Sequence, residues 1–93
     1  MSHHQLHAII EGRVQGVSFR YYTTLTARRL NLTGWVRNLP DGTVETVAEG
    51  DKAALDQFLE FLNEGPPAAD VRDVRVQWAQ GSGDFDTFDV RYR

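Results

Sequence analysis

Gly12-Arg13-Val14-Gln15-Gly16-Val17-Ser18-Phe19-Arg20 is the junction on which the fold turns. Before it lies a short apolar run at 6–12 carrying β-branched Ile9 and Ile10, which predicts a strand. After it, residues 19–31 contain neither proline nor glycine and place Phe19, Thr23, Ala27 and Leu30 on one helical stripe. The two glycines let the backbone turn tightly and approach a ligand closely. A loop that opens into a helix directs free N–H groups at one point, where anions settle. Arg20 adds a planar cationic fork suited to phosphate or carboxylate oxygens. The alternative is an ordinary turn followed by a solvated arginine. A Walker-type phosphate loop is excluded, since no Lys-Ser or Lys-Thr follows the second glycine.

Working outward, Asn31 suits a left-handed residue that stops the helix. Residues 33–39 alternate as a strand, Pro40-Asp41-Gly42 signals a turn, and 43–48 form the returning strand of a hairpin. Asp51 is expected to cap a second helix whose apolar face is Ala54, Leu55, Phe58, Leu59 and Leu62, ended by Gly65-Pro66-Pro67. Val71, Val74, Val76 and Trp78 mark a further strand, and Gly81-Ser82-Gly83 a flexible connection. Phe88, Val90 and Tyr92 alternate with Asp89 and Arg91 on a closing strand. Trp35, Trp78, Phe58, Phe88 and Tyr92 are expected in the core or on the sheet faces. The order β-α-β-β-α-β plus a short C-terminal strand predicts an α+β, ferredoxin-like sandwich: an antiparallel sheet with two helices on one face.

A chain of 93 residues, 41% hydrophobic, holds one modest core, so 1–93 is expected to be a single domain with a flexible N-terminus at 1–4. Net charge is −3, and positive charge comes from nine arginines and Lys52 alone, which leaves no electrostatic footprint for nucleic acid. With no cysteine, disulfides and thiol chemistry are excluded, which is compatible with a reducing cytosol. Neither a secretory signal nor an apolar run long enough to span a membrane is visible, so a soluble, cytoplasmic protein is expected. His3, His4 and His7 lack a carboxylate or cysteine nearby in sequence, and no metal site is expected. The acidic residues between Asp70 and Asp89 read as a solvated face, and the aromatic content suits a monomer.

The glycine loop at the first strand-to-helix turn and Gly34-Trp35-Val36-Arg37-Asn38-Leu39-Pro40-Asp41-Gly42-Thr43-Val44-Glu45 on the central hairpin together resemble the acylphosphatases. These small enzymes hydrolyse carboxylic–phosphoric mixed anhydrides. The resemblance covers essentially the whole chain. It implies that Arg20 and the amides of Gln15, Gly16, Val17, Ser18, Phe19 and Arg20 hold the substrate phosphate, and that Asn38 orients the attacking water. Ser18 falls where the family is variable, and Asn31 stands where glycine is common.

The chemistry agrees with that assignment. An acyl phosphate has a carboxylate leaving group that departs without a strong general acid, so placement and charge stabilisation suffice. An amide nest and one arginine supply both. Asn38 holds water without acting as a strong base, and the resemblance implies that the substrate's own phosphate takes the proton. Neither cofactor nor metal is expected. Inorganic phosphate and sulfate are expected to compete for the cradle. The Thr43 hydroxyl, on the strand returning past Asn38, is a candidate for fixing its amide, and a plain strand threonine is the alternative. Asp41 and Gly42 read as hairpin chemistry. Two rival functions are a module that binds acyl or carbamoyl phosphate without turnover, alone or as a piece of a larger maturation enzyme, and an RNA-binding sheet. The latter lacks a basic surface and the aromatic motif it needs on the third strand.

Overall fold

The computed structural model describes residues 3–92. In chain order its elements are β1 (His4–Arg13), α1 (Phe19–Arg29), β2 (Thr33–Asn38), β3 (Val44–Gly50), α2 (Lys52–Glu64), β4 (Asp70–Gln80) and β5 (Phe88–Val90). The strands form one sheet in the order β4-β1-β3-β2-β5. β1 runs antiparallel to both β3 and β4, and β2 antiparallel to β3. α1 packs over β2 and β5, and α2 over β4, β1 and β3.

Period-two alternation sorts the two faces. Leu6, Ala8 and Ile10 of β1, Val36 of β2, and Val44 and Ala48 of β3 are buried with Phe19, Ala27, Leu55, Phe58 and Leu62 of the helices. The intervening residues line the opposite face, where Glu45 accepts from Arg37 and pairs with His7 at 2.8 Å. α1 stops as expected: Asn31 has φ 59°, the Leu32 N–H donates to Ala27 at 2.9 Å, and the Asn31 N–H to Arg28 at 3.1 Å. That reciprocal pair satisfies carbonyls of the last turn.

The ferredoxin-like α+β architecture with two helices on the sheet is as expected, and finer points differ. The sheet is mixed, because β5 lies parallel to β2 with Phe88 opposite Gly34 and Val90 opposite Val36. β4 ends beside His4, at the same end of the sheet as Gly50 and Thr33. The chain crosses along that end to the far edge, so β5 starts where β2 starts and runs with it. β1 begins at His4, not at residue 6, and the His3 carbonyl accepts from the Gly81 N–H at 3.0 Å. Residues 1 and 2 of the expected loose terminus lie outside the described residues. Asp51 sits at the N-cap of α2, but its carboxylate makes no capping bond; its carbonyl accepts from the Leu55 N–H at 2.9 Å.

The expected flexible connection at Gly81-Ser82-Gly83 is instead clamped by Glu49, a buried carboxylate at the end of β3. Glu49 accepts from the Ser82 N–H at 2.9 Å, the Ser82 hydroxyl at 2.8 Å, the Gly83 N–H at 3.0 Å and the Gln5 amide at 2.6 Å. Burial alone would raise its pKa, but these donors outweigh burial and hold it at about 2. No helix of the described residues is long and apolar enough to cross a membrane.

Candidate active site

Three apolar pins set the shape of the loop between β1 and α1. Val14, Val17 and Phe19 are buried, and the Phe19 ring packs against Phe61 of α2 at 6.1 Å. Between the pins, Gly16 (φ 74°) and Ser18 (φ 62°) adopt left-handed backbone. Alternating handedness of this kind turns successive N–H groups toward a common point. Among the described residues, the N–H groups of 15–20 have no hydrogen-bond partner; the first bond of the helix is from the Tyr22 N–H to the Ser18 carbonyl, at 3.1 Å. No acidic residue occupies the first turn of α1, so the positive end of its dipole is not neutralised. The other glycine of the motif serves a different purpose. A Cβ on Gly12 would stand 2.1 Å from the Asp70 carbonyl, so its close approach is to β4, across the irregularity in the β1–β4 register.

Gln15 ties this loop to the hairpin. Its side-chain amide donates to the carbonyls of Leu39 and Thr43, each at 2.8 Å. Leu39 and Thr43 also bond to each other through backbone, from N–H to carbonyl at 2.9 Å. Thus the loop is held against the end of β2, where Asn38 is the last strand residue. The Asn38 Oδ1 is buried and has no hydrogen-bond partner among the described residues. The Thr43 hydroxyl, a candidate for fixing that amide, is turned to the Asp41 carboxylate at 2.6 Å. Asp41 also accepts from the Thr43 N–H at 3.0 Å, and those two bonds lower its pKa.

A concave pocket of about 730 Å³ gathers Gly16, Ser18, Phe19, Arg20 and Asn38. Of the other residues singled out in the sequence, Gln15, Val17 and Thr43 do not line it. Arg20 has no carboxylate within salt-bridge distance among the described residues; its guanidinium lies 5.3 Å from the centre of the Tyr92 ring. An aromatic face steadies a guanidinium without occupying its N–H groups, which stay available to an anion. Tyr92 was expected in the core or on a sheet face, but β5 ends at Val90 and the residue is 81% exposed. The alternation Phe88, Val90, Tyr92 carries no sign of where the strand stops. Arg28 and Asp89 also line the pocket and were not singled out as site residues. The three histidines are dispersed, with His7 on Glu45 and His3 3.4 Å from Glu49. Among the described residues no group of three or more His, Cys, Asp and Glu is placed to hold a metal.

The acylphosphatase family model matches residues 6–90. An acylphosphatase of Acaryochloris marina is 48% identical over 85 residues, covering 91% of this chain and 90% of the relative. One of Dehalococcoides mccartyi is 47% identical over 90 residues, covering 96% and 99%. The crystal structure of acylphosphatase from Bacillus subtilis superposes with a TM-score of 0.92 at 39% identity, covering 96% of this chain and 99% of that one.

Proposed function

This chain belongs to the acylphosphatase family, and from that premise we propose that it hydrolyses small acyl phosphates to a carboxylate and inorganic phosphate in the pocket beneath Arg20. The observation that carries the reading is convergence: Gly16, Ser18, Phe19 and Arg20, whose amides have no partner among the described residues, line one cavity with the Arg20 guanidinium, which has no carboxylate among them, and with Asn38, whose Oδ1 has no partner among them. The amides and Arg20 hold the three phosphoryl oxygens and take up the charge that develops on them. Asn38 accepts a hydrogen bond from water and aims its oxygen at phosphorus. As the water oxygen bonds to phosphorus, the bond to the acyl oxygen breaks and its electron pair leaves with the carboxylate. The water's proton passes to the phosphoryl oxygens, because Asn38 is not a base. Gln15 acts through its side chain, keeping the cradle and Asn38 in register.

Inorganic phosphate and sulfate compete for the same amides, since a tetrahedral anion is what they recognise. The protein acts as a monomeric single domain. A cysteine-free chain suits the cytoplasm. Phosphate release from benzoyl phosphate in excess chelator tests the reading. Release should persist, and phosphate monoesters should be poor substrates because an alkoxide leaves far less readily. Activity lost to the chelator and restored by a divalent ion would overturn the mechanism.

A further inference from the structure

The pocket continues well beyond the phosphate cradle. Arg20, Thr24 and Arg28 all line it, at successive turns of α1, with Asp89 and Val90 of β5 across from them. Eight helical residues carry the pocket about 12 Å from one arginine to the other. Strand register places its two ends: Asp89 lies opposite Trp35, whereas Asn38 is three residues further along β2, about 10 Å away. In-line displacement requires the leaving oxygen to face away from the attacking water. With water at Asn38, the acyl group therefore extends along α1 toward Arg28 and Asp89.

The chemistry at that far end is specific. The Arg28 Nε donates to the Phe88 carbonyl at 3.1 Å and its Nη2 to the Asp89 Oδ1 at 3.1 Å. The other Asp89 oxygen accepts from the Thr87 hydroxyl. Each Asp89 oxygen thus accepts one bond, and of the five N–H groups of the Arg28 guanidinium two are used. Among the described residues three guanidinium N–H groups are left to meet a ligand oxygen, and the Arg28 side chain is more than half exposed, as is that of Asp89. We infer that the Arg28 end is an acyl subsite that favours acyl groups bearing a second carboxylate remote from the phosphate. This inference rests on the acylphosphatase reading above and adds a substrate class to it.

The test compares kcat/KM for 4-carboxybenzoyl phosphate and 4-methylbenzoyl phosphate, which differ at the remote end alone. The ratio cancels any general loss of activity or of folded protein. A partly exposed ion pair changes an equilibrium by no more than about fivefold, so Arg28→Gln should lower the ratio by about two- to fivefold. Asp89→Asn removes the competing carboxylate, leaves the Arg28 bond to Phe88, and should raise the ratio. Arg29→Gln removes the same charge from an exposed position outside the pocket and should leave the ratio unchanged. An unaltered ratio in Arg28→Gln, or an equal fall in Arg29→Gln, would overturn the subsite. Failure of the wild-type protein to hydrolyse either compound would instead remove the acylphosphatase reading itself.

Discussion

Replacing Glu49 by glutamine should convert an acid-sensitive protein into one that is weaker at neutral pH but indifferent to acid at this position. The carboxylate is buried and receives four hydrogen bonds from Gln5, Ser82 and Gly83, which hold its pKa at about 2 against an ordinary 4.5. At about 1.4 kcal/mol per pKa unit, that difference contributes roughly 3 kcal/mol to stability at neutral pH. The sign follows from the depressed value. The contribution is complete above pH 4.5, declines as pH falls, and is gone once pH has passed below about 2. Glutamine offers one acceptor oxygen where four donors converge, and its own N–H groups face other donors.

Urea unfolding of both proteins from pH 7 to pH 2 measures the effect. The variant should be less stable by roughly 3 kcal/mol at pH 7, about 12–24 °C in Tm for a domain of this size. The two curves should converge as pH approaches 2. A deficit that stays constant across pH would mean that shape, not ionisation, explains the loss, and no deficit would mean the clamp is idle. The result bears on function because the clamped segment delivers β5, and with it Asp89 and Tyr92, to the pocket.

The remaining predictions concern the site. Arg20→Ala should lower kcat/KM for benzoyl phosphate at least about a hundredfold and weaken phosphate inhibition, as loss of a desolvated charge-assisted pair is worth about 2–5 kcal/mol. Arg20→Lys should not restore wild-type activity; full activity would refute bidentate clamping. Asn38→Ala should reduce turnover at least about a hundredfold while the phosphate inhibition constant moves less than about threefold. Its unfolding free energy should hold or rise by about 1 kcal/mol, since a buried acceptor without a partner is removed; parallel loss of phosphate binding would end the water-positioning role. Saturating phosphate should raise the stability of the wild-type protein, by about 2.7 kcal/mol at a hundred times its dissociation constant, and should inhibit competitively; noncompetitive inhibition would place the cradle elsewhere.

Local chemistry was readable in the sequence wherever a residue's role is settled by its neighbours in the chain. The Asn31 stop, the Pro40-Asp41-Gly42 turn and the apolar faces of both helices belong to that class, and all appear where expected. The expectation failed where distant segments decide the outcome. Asp51 stands at a helix start that its carboxylate does not cap. Gly81-Ser82-Gly83 has the composition of a loose connection, yet Glu49 from another strand fixes it. Tyr92 continues an alternation that ends two residues earlier, and it turns to Arg20. The motif points to the main-chain amide of Gln15, while its side chain joins the loop to the hairpin. A polar side chain reaching across the fold leaves no periodic trace, so such ties become visible only in three dimensions.

The same comparison separates scaffold from site on energetic grounds. Away from the pocket, the end of α1 is closed by two nested backbone bonds and Glu49 is met by four donors, while the buried His4 Nδ1 and Thr23 Oγ1 have no partner among the described residues. Around the pocket three locally unfavourable features are concentrated. Ser18 holds a left-handed backbone that costs a residue with a Cβ about 1–2 kcal/mol. Asn38 keeps a buried oxygen without a partner among the described residues, at about 1–3 kcal/mol. Arg20 carries a charge with no carboxylate beside it among the described residues. Each is a poor choice for stability alone, and the species proposed to bind there would offset its cost. An anion meets the amides that the Ser18 turn exposes and neutralises Arg20, and a water satisfies Asn38. Unfavourable features whose cost one phosphate and one water would offset together are the pattern expected of the proposed binding site.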